Sequence, residues 1–275
     1  MSFKSNIVKI PFLGRVFLIT YRFKNAFPYV AKPLSTMIKW LFTSKETTNF
    51  TYDLTHRNKK YLASTISVVT KTPTDIIERY ISELNNDSEL KNHIISSIIK
   101  SNEKHKADLK IYFGRRLGWY AFVRATKPKI VIETGVDKGL GSCVLSAALI
   151  KNTEEGFPGK YYGTDINQKA GYLLSGKYAE VGKILYGDSI ESLKELNGKV
   201  DLFINDSDHS ADYEAEEYKT IKDKLSSNAI LLGDNSHCTD KLFEFSNLNN
   251  MKFIFFKEEP SNHWSIGAGI GIAWK

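Results

Sequence analysis

The chain has 275 residues, which is enough for one large domain with an accessory segment or for two small domains. Its 42% hydrophobic and 25% charged residues are ordinary for a globular protein and exclude wholesale disorder. Cys143 and Cys238 form no metal-binding or redox pattern, and no cleavable signal peptide is evident. We therefore expect a protein of the reducing cytoplasm.

The net charge of +7 comes from the N-terminal end of the chain. Residues 1–50 contain one acid, Glu46, and eight basic residues: Lys4, Lys9, Arg15, Arg22, Lys24, Lys32, Lys39 and Lys45. The other 225 residues hold 30 basic and 30 acidic side chains, so their charges sum to zero. The excess charge therefore belongs to a basic N-terminal arm, which we define as residues 1–46.

The same arm is rich in large apolar residues. After Pro33 the apolar residues follow a helical spacing and predict an amphipathic helix: Leu34, Met37, Ile38, Leu41 and Phe42. No apolar run reaches the length of a membrane span, and Arg15 interrupts the longest. Two interpretations stay open: the stripe packs on the protein itself or on a second subunit, or it lies on an anionic membrane surface. Nucleic acid is not expected, because no known binding module accompanies the charge.

Residues 47–114 read as a helical accessory region. Candidate helices are LTHRNKKYLASTISVV, TDIIERYISEL, which Thr72 caps and Pro73 opens, and SELKNHIISSIIK. We expect this region to form a lid over a site or the surface of a homodimer.

From Pro128 onward, short apolar runs alternate with amphipathic segments. The predicted strands are KIVIE (129–133), KYYGTD (160–165), KILYG (183–187), VDLFIN (200–205), AILLG (229–233), KFIFF (252–256) and GIGIAW (269–274). This alternation predicts an α/β fold, a doubly wound and mostly parallel sheet with helices on both faces. Ligands of such sheets bind beyond the carboxyl ends of the strands.

Four of these strand ends carry polar residues. A glycine-rich turn, VIETGVDKGLGS, lets backbone approach a ligand, although its spacing departs from G-x-G-x-x-G. Asp165 ends the second strand, where a carboxylate can accept both hydroxyls of a ribose, and Asp188 follows the third. The fourth end, FINDSDHS, crowds Asn205, Asp206, Asp208 and His209 together, although like charges repel.

In this order, the four strand ends resemble class I S-adenosylmethionine-dependent methyltransferases, over roughly residues 115–275. The resemblance implies a seven-stranded Rossmann-like domain that binds S-adenosylmethionine. It also implies the cofactor-binding residues Glu133, Thr134, Gly135, Gly139, Ser142, Asp165, Asp188 and Ser189.

A fifth strand end, ILLGDNSH, extends the resemblance to metal-dependent O-methyltransferases of the catechol and caffeoyl-CoA type. The resemblance implies that Asp206, Asp234 and Asn235 bind Mg²⁺ or another divalent cation, for which oxygen donors are suited. The cation would make the crowded acids tolerable. Those families have a basic lysine three residues after the first ligand; here the position is His209, the implied catalytic base.

The acceptor is less defined. The C-terminal domain resembles bacterial methyltransferases of sugars and secondary metabolites, which implies a hydroxyl of a sugar, glycolipid or secondary metabolite. Trp264 is expected to border the acceptor pocket, with His237 and His263 near its mouth. Three alternatives remain: the acids after the fourth strand only cap a helix, the chain is an NAD-type oxidoreductase, or it is a non-catalytic membrane-associated binding protein.

Overall fold

The computed structural model describes residues 11–208 and 210–275, and in Pro11 the backbone only. The described chain forms two compact units. One contains residues 11–44 and 262–266, and the other contains residues 45–261 and 267–275.

The smaller unit is built on one long helix, α1 (Pro11–Thr43). The amphipathic segment predicted after Pro33 lies within it, and the helix continues through Pro28 and Pro33. Its large apolar side chains are exposed, including Phe12, Leu13, Val16, Ile19, Phe23, Tyr29, Leu34, Met37, Ile38, Leu41 and Phe42. In the same unit, the Trp40 ring packs on that of Trp264 with 5.2 Å between centroids.

Within the described residues, no helix has both the length and the apolar character that crossing a bilayer requires.

The larger unit contains the helices and strands of the predicted α/β domain. Its helices are α2 (His56–Thr70), α3 (Thr74–Asn85), α4 (Ser88–Lys100), α5 (Arg116–Thr126), α6 (Leu140–Glu154), α7 (Ser189–Glu195), α8 (Ala211–Ile221) and α9 (Lys241–Leu248). Its strands are β1 (Asp53–Leu54), β2 (Ile130–Thr134), β3 (Lys160–Asp165), β4 (Gly182–Tyr186), β5 (Val200–Asn205), β6 (Leu225–Gly233), β7 (Lys252–Lys257), β8 (Pro260–Ser261) and β9 (Gly269–Trp274).

Seven strands form the central sheet in the order β4-β3-β2-β5-β6-β9-β7. The strands β4, β3, β2, β5 and β6 are parallel, and β9 pairs antiparallel with both β6 and β7. The order reverses at β2, so the carboxyl ends of β2, β3 and β5 frame a crevice suited to a ligand. The doubly wound, mostly parallel sheet predicted from the sequence is confirmed.

Alternating side chains give the sheet two apolar faces. Val131, Leu202 and Leu232 belong to the larger core cluster, which the helices α2 to α6 complete. The residues adjacent to them in the same strands, Ile132, Phe203 and Leu231, point to the opposite face and belong to the second cluster, under α8 and α9. Because both faces are covered, each central strand reads as an unbroken apolar run.

The helices of the accessory region lie close to their predicted positions. Helix α2 begins at His56 with Thr55 as its side-chain cap, and α4 begins at Ser88 with Asp87 as its cap. Helix α3 departs slightly, because Pro73 occupies the cap position and Thr72 makes no capping hydrogen bond to it. This region packs within the same compact unit as the sheet, with α3 against α5.

Gly135 is the point where the loop after β2 meets the loop after β5. Its φ is +80°, and a Cβ there would collide with the backbone carbonyl of Asp206. Gly156 has a similar φ of +88° but has open space where its Cβ would lie. Comparing substitutions at the two glycines therefore separates the cost of backbone strain from the cost of a steric clash at the Cβ position.

We expect Gly135→Ala to destabilise the fold more than Gly156→Ala. Both variants suffer the left-handed backbone strain of about 1–3 kcal/mol. Only Gly135→Ala adds an overpacking cost of about 1–3 kcal/mol, because the loop of Asp206 must move. Chemical denaturation of the two variants measures this difference, and equal losses would show that the β2 and β5 loops are not held in contact.

Candidate active site

A cavity of about 830 Å³ opens at the carboxyl ends of the parallel strands. Residues from the ends of β2, β3, β4, β5 and β6 line it, as does the segment before α5. The lining includes Phe50, Arg115, Arg116, Gly135, Asp137, Asp165, Asn167, Asp188, Ser189, Asp206, Asp208, Tyr213, Asp234 and His237. The cavity therefore joins several of the strand ends singled out in the sequence.

Glu133 lies under the glycine-rich loop and is 2% exposed. Its carboxylate accepts a hydrogen bond from the Tyr161 hydroxyl and a longer one of 3.4 Å from Ser142 Oγ. Ser142 Oγ also lies 2.7 Å from the Tyr161 hydroxyl. Burial raises the pKa of Glu133 to about 7, although these donors and the nearby Arg116 favour its charged form. Glu133 and Ser142 thus support the loop from behind and lie outside the cavity lining.

Asp165, at the end of β3, binds the loop that follows β2. Its Oδ2 accepts from the backbone N–H groups of Val136 and Asp137 at 3.2 and 3.1 Å. Its Oδ1 accepts from Asn167 N–H at 2.8 Å. The carboxylate therefore lines the cavity and fixes two loops around it.

Asp188, after β4, caps helix α7. Its Oδ1 accepts from the N–H groups of Ile190 and Glu191 at 2.8 and 3.3 Å. Ser189 also lines the cavity, and its hydroxyl contacts Glu217 and lies 2.9 Å from the Tyr213 hydroxyl. Both predicted residues are at the cavity, with part of their hydrogen-bonding capacity used by the protein.

Glu217 on α8 connects three strand ends from below. Its carboxylate accepts hydrogen bonds from Ser189, Asn205, Ser207 at 2.7 Å and Thr134 at 3.1 Å. Burial raises its pKa, and these four donors counter that shift. Asn205 and Ser207 therefore point down to Glu217, which explains two of the polar residues in FINDSDHS.

Asp206 points to the other side, where it faces Asp234. Burial and the adjacent charge of Asp234 raise the pKa of Asp206 well above its usual range. Burial also opposes ionisation of Asp234, but the Arg115 guanidinium outweighs this and holds the pKa of Asp234 below its usual value. Of the pair at the ends of β5 and β6, Asp234 is therefore the ionised carboxylate and Asp206 is the member that binds a proton more readily.

Arg115 binds Asp234 with a two-pronged ion pair. Nε contacts Oδ1 and Nη2 contacts Oδ2, and the side chain of Asp234 is 2% exposed. Nη1 of Arg115 donates to the Tyr52 hydroxyl at 2.8 Å, and this hydroxyl donates to the buried carboxylate of Glu258. Sequence reasoning missed Arg115, the partner of Asp234, and also Tyr52 and Glu258, which hold Arg115 in turn.

The predicted metal ligands do not fit a divalent cation as they are arranged. Both oxygens of Asp234 are engaged by Arg115, and a unit charge 4 Å from a dication repels it by about 8 kcal/mol at an effective dielectric of 20. Asn235 Oδ1 is buried without a hydrogen-bond partner and is the predicted ligand that stays free. Across residues 11–208 and 210–275, no cluster of three or more His, Cys, Asp or Glu side chains could hold a metal ion.

The histidines occupy different places. His209 lies outside the described residues, so its role as the base stays a prediction. His237 lines the cavity, and its Nδ1 lies 3.0 Å from the carbonyl of Asp234. His263 and Trp264 belong to the smaller unit. Asp208 accepts hydrogen bonds from the backbone N–H and the hydroxyl of Ser210, the N-cap residue of α8. Among the described residues α8 has no side-chain capping hydrogen bond, so this contact is not the helix cap that the capping interpretation expected.

Arg116 is a further cavity residue that the sequence did not suggest. Its Nε is buried without a hydrogen-bond partner, and its guanidinium lies 5.4 Å from the Trp119 ring centroid. Within the described part of the chain it forms no ion pair, in contrast to Arg115. Of the other predicted residues, Gly135 lines the cavity, while Thr134, Gly139 and Asn235 are not among its lining residues.

Comparison with known proteins found similarity over the segment that holds this site. Residues 132–236 match the profile of a family described as a methyltransferase domain, and this segment contains all the predicted cofactor and metal residues. The SAH-bound methyltransferase PaMTH1 of Podospora anserina is 19% identical over 73% of this chain and 94% of its own, with a TM-score of 0.49. The O-methyltransferase TomG of Streptomyces achromogenes, solved with SAM, is 14% identical over 70% of this chain and 92% of its own, also with a TM-score of 0.49. No curated protein matches the chain in sequence.

The buried carboxyl of Glu133 predicts a specific pH dependence of stability. Its pKa of about 7 in the fold exceeds the ordinary value of 4.5, so the folded protein holds one more proton than the unfolded chain between these pH values. Stability therefore falls as pH rises through this window, by about 3 kcal/mol for this group. The Gln side chain in Glu133→Gln can still accept the hydrogen bond from Tyr161 but cannot titrate. The stability of this variant should therefore lack the pH-dependent fall. Denaturation from pH 4.5 to 8 measures it, and parallel curves for the two proteins would contradict the assignment.

Proposed function

We propose that this chain, an S-adenosylmethionine-dependent methyltransferase of the class I fold, transfers the methyl group to a hydroxyl of a sugar, a glycolipid or a secondary metabolite. The observation that supports it is one cavity with two kinds of lining. Gly135, Asp165 and Asp188, which the resemblance assigns to the cofactor, line it together with Asp206 and Asp234, which we assign to the acceptor part.

In this proposal Asp165 binds the ribose and Asp188 the adenine edge. A carboxylate offers about four lone pairs, and three backbone N–H groups already use three of those on Asp165. Binding both ribose hydroxyls therefore requires at least one loop N–H to be released. Arg116, whose Nε has no hydrogen-bond partner and which forms no ion pair within the described residues, is suited to bind the carboxylate of the cofactor's methionine part.

Methyl transfer to a hydroxyl needs a base and a well-positioned oxygen, since the sulfonium is already a good leaving group. We propose His209 as that base, because it follows Asp206 and Asp208 in the loop after β5. The Mg²⁺ expected from the resemblance competes with Arg115 for Asp234, so no step of the proposed reaction passes through a cation.

Cofactor binding can be tested before the acceptor is known. Asp165→Ala should weaken binding of S-adenosylhomocysteine by about 1–3 kcal/mol, or about 5- to 150-fold, because ribose hydroxyls lose their acceptor. Asp212→Ala, which removes the same charge from an exposed position outside the cavity lining, should bind normally.

Isothermal titration calorimetry with S-adenosylhomocysteine and with NAD measures these affinities. An unchanged affinity in folded Asp165→Ala would remove the ribose assignment. Binding of NAD in place of S-adenosylhomocysteine would restore the oxidoreductase alternative.

We further propose that helix α1 lies on an anionic membrane surface. Its basic residues are all exposed and no acid accompanies them: Arg15, Arg22, Lys24, Lys32 and Lys39. The predicted apolar stripe is exposed too, with Phe42 85% accessible. A second subunit remains the other occupant that this exposure allows.

Full-length protein should sediment with anionic vesicles and should dissociate as salt rises, because charges are screened over about 8 Å at physiological ionic strength. Changing the five basic residues of α1 to Gln should abolish this binding, since each contributes about 1 kcal/mol near the surface. The matched control changes five exposed lysines of the larger unit to Gln: Lys60, Lys100, Lys104, Lys160 and Lys252. Equal binding by both variants, or a dimer without vesicle binding, would favour the packing interpretation.

A further inference from the structure

The carboxylates after β5 and β6 already have a cation beside them, and it is part of the chain. Arg115 engages both oxygens of Asp234, and Asp234 faces Asp206. The resemblance to metal-dependent enzymes assigns a divalent cation to the same two carboxylates. Arg115 and that cation would therefore compete for the same carboxylate oxygens of Asp234.

Arg115 is held too firmly to be an accidental surface arginine. Its side chain is 12% exposed, and all three of its nitrogens have acceptors. The Tyr52 hydroxyl accepts a hydrogen bond from Nη1 at 2.8 Å, and a carboxylate oxygen of Glu258 lies 3.6 Å from the same nitrogen. Glu258 is fixed in turn by the backbone N–H of Ala268 at 2.6 Å. These contacts come from the residue before β1, from the residue before α5 and from both sides of β8.

The guanidinium keeps donor capacity toward the cavity that it lines. Arg115 has five N–H hydrogens, of which two point to Asp234 and one to Tyr52. The second hydrogen of Nη1 is on the side of Glu258, so one hydrogen of Nη2 remains for a ligand within the described surroundings. An oxygen that enters beside Asp206 and Asp234 meets this donor.

We propose that the Arg115 guanidinium takes the place of the divalent cation at this strand-end site. The wild-type protein then binds no divalent cation through Asp206 and Asp234, and the acceptor oxygen faces a guanidinium. The acceptor part of this inference rests on the proposed function; the charge replacement itself rests on the Arg115–Asp234 pair.

Binding of Mn²⁺ alone, followed by electron paramagnetic resonance of the full-length protein, tests the replacement. Wild type should show no stoichiometric Mn²⁺ site. Arg115→Met should gain one stoichiometric site and should bind Mn²⁺ about tenfold or more tightly than any residual binding by wild type. The reason is that both oxygens of Asp234 are released and a competing charge is lost. Adding Asp234→Asn to Arg115→Met should remove the new site.

Arg116→Met is the matched control. It removes one arginine charge from the same cavity lining, but Arg116 makes no contact with Asp234, so it should gain no site. Thermal melting shows which variants fold. Should Arg115→Met fail to fold, Arg115→Gln carries the test, because it also removes the charge but keeps a side-chain donor for Tyr52, and it should gain the Mn²⁺ site, whereas Arg115→Lys, which keeps the charge, should not.

A stoichiometric Mn²⁺ site in wild type that Asp234→Asn abolishes would overturn the proposal. A folded Arg115→Met protein without a site would overturn it too, because Arg115 would then not be what excludes the cation. Failure of the proposed function is distinguishable, since loss of S-adenosylhomocysteine binding in wild type contradicts methyl transfer whatever Mn²⁺ does.

Discussion

The carboxyl edge of the sheet gathers buried carboxylates, and each must be protonated, hydrogen-bonded or paired with a cation. The site uses all three solutions. Glu133 holds a proton up to about pH 7, and Glu217 accepts four side-chain hydrogen bonds. Asp234 is paired with Arg115, and this pairing leaves Asp206 as the member that binds a proton more readily. Among these partners, Arg115, Ser189 and Ser207 also line the cavity.

Much of this architecture follows from local sequence patterns. The seven strands were predicted within a few residues, because strands covered on both faces read as short apolar runs. The strand-end residues followed from the rule that parallel strands present their carboxyl ends to a ligand. The alternation within FINDSDHS also carried a usable signal: Asn205 and Ser207 point to Glu217, while Asp206 between them points to Asp234. Such a two-residue period is what a strand end predicts.

The partners of the acids could not be predicted in the same way. Arg115 and Asp234 are 119 positions apart, and Tyr52 and Glu258 are 206 apart. No periodicity or motif relates positions so distant, and only the tertiary fold brings them together. Helix α8 did offer a clue, because Glu214 and Glu217 are fully buried beside Tyr218 and Ile221. Acids on the apolar face of a helix indicate specific partners.

Helix α1 shows a different limit of local reasoning. A proline inside a helix removes one N–H donor and leaves one carbonyl without its partner. On an exposed helix water can satisfy that carbonyl, so Pro28 and Pro33 do not end it. Local patterns identified the stripe after Pro33 but not the continuous helix of 33 residues.

A guanidinium and a dication at the same carboxylates would activate an acceptor hydroxyl to different extents. A dication carries twice the charge on one atom, so it lowers the pKa of a bound hydroxyl strongly. The charge of a guanidinium is single and delocalised, and at Asp234 it is already shared with a carboxylate. An acceptor oxygen beside Arg115 is therefore oriented more than it is acidified. A hydroxyl acceptor would then depend more on a base, and the sequence predicts one in the loop between Asp206 and helix α8. The arginine has a compensating property: it is present whenever the chain is folded, so the site does not depend on the free concentration of a metal ion.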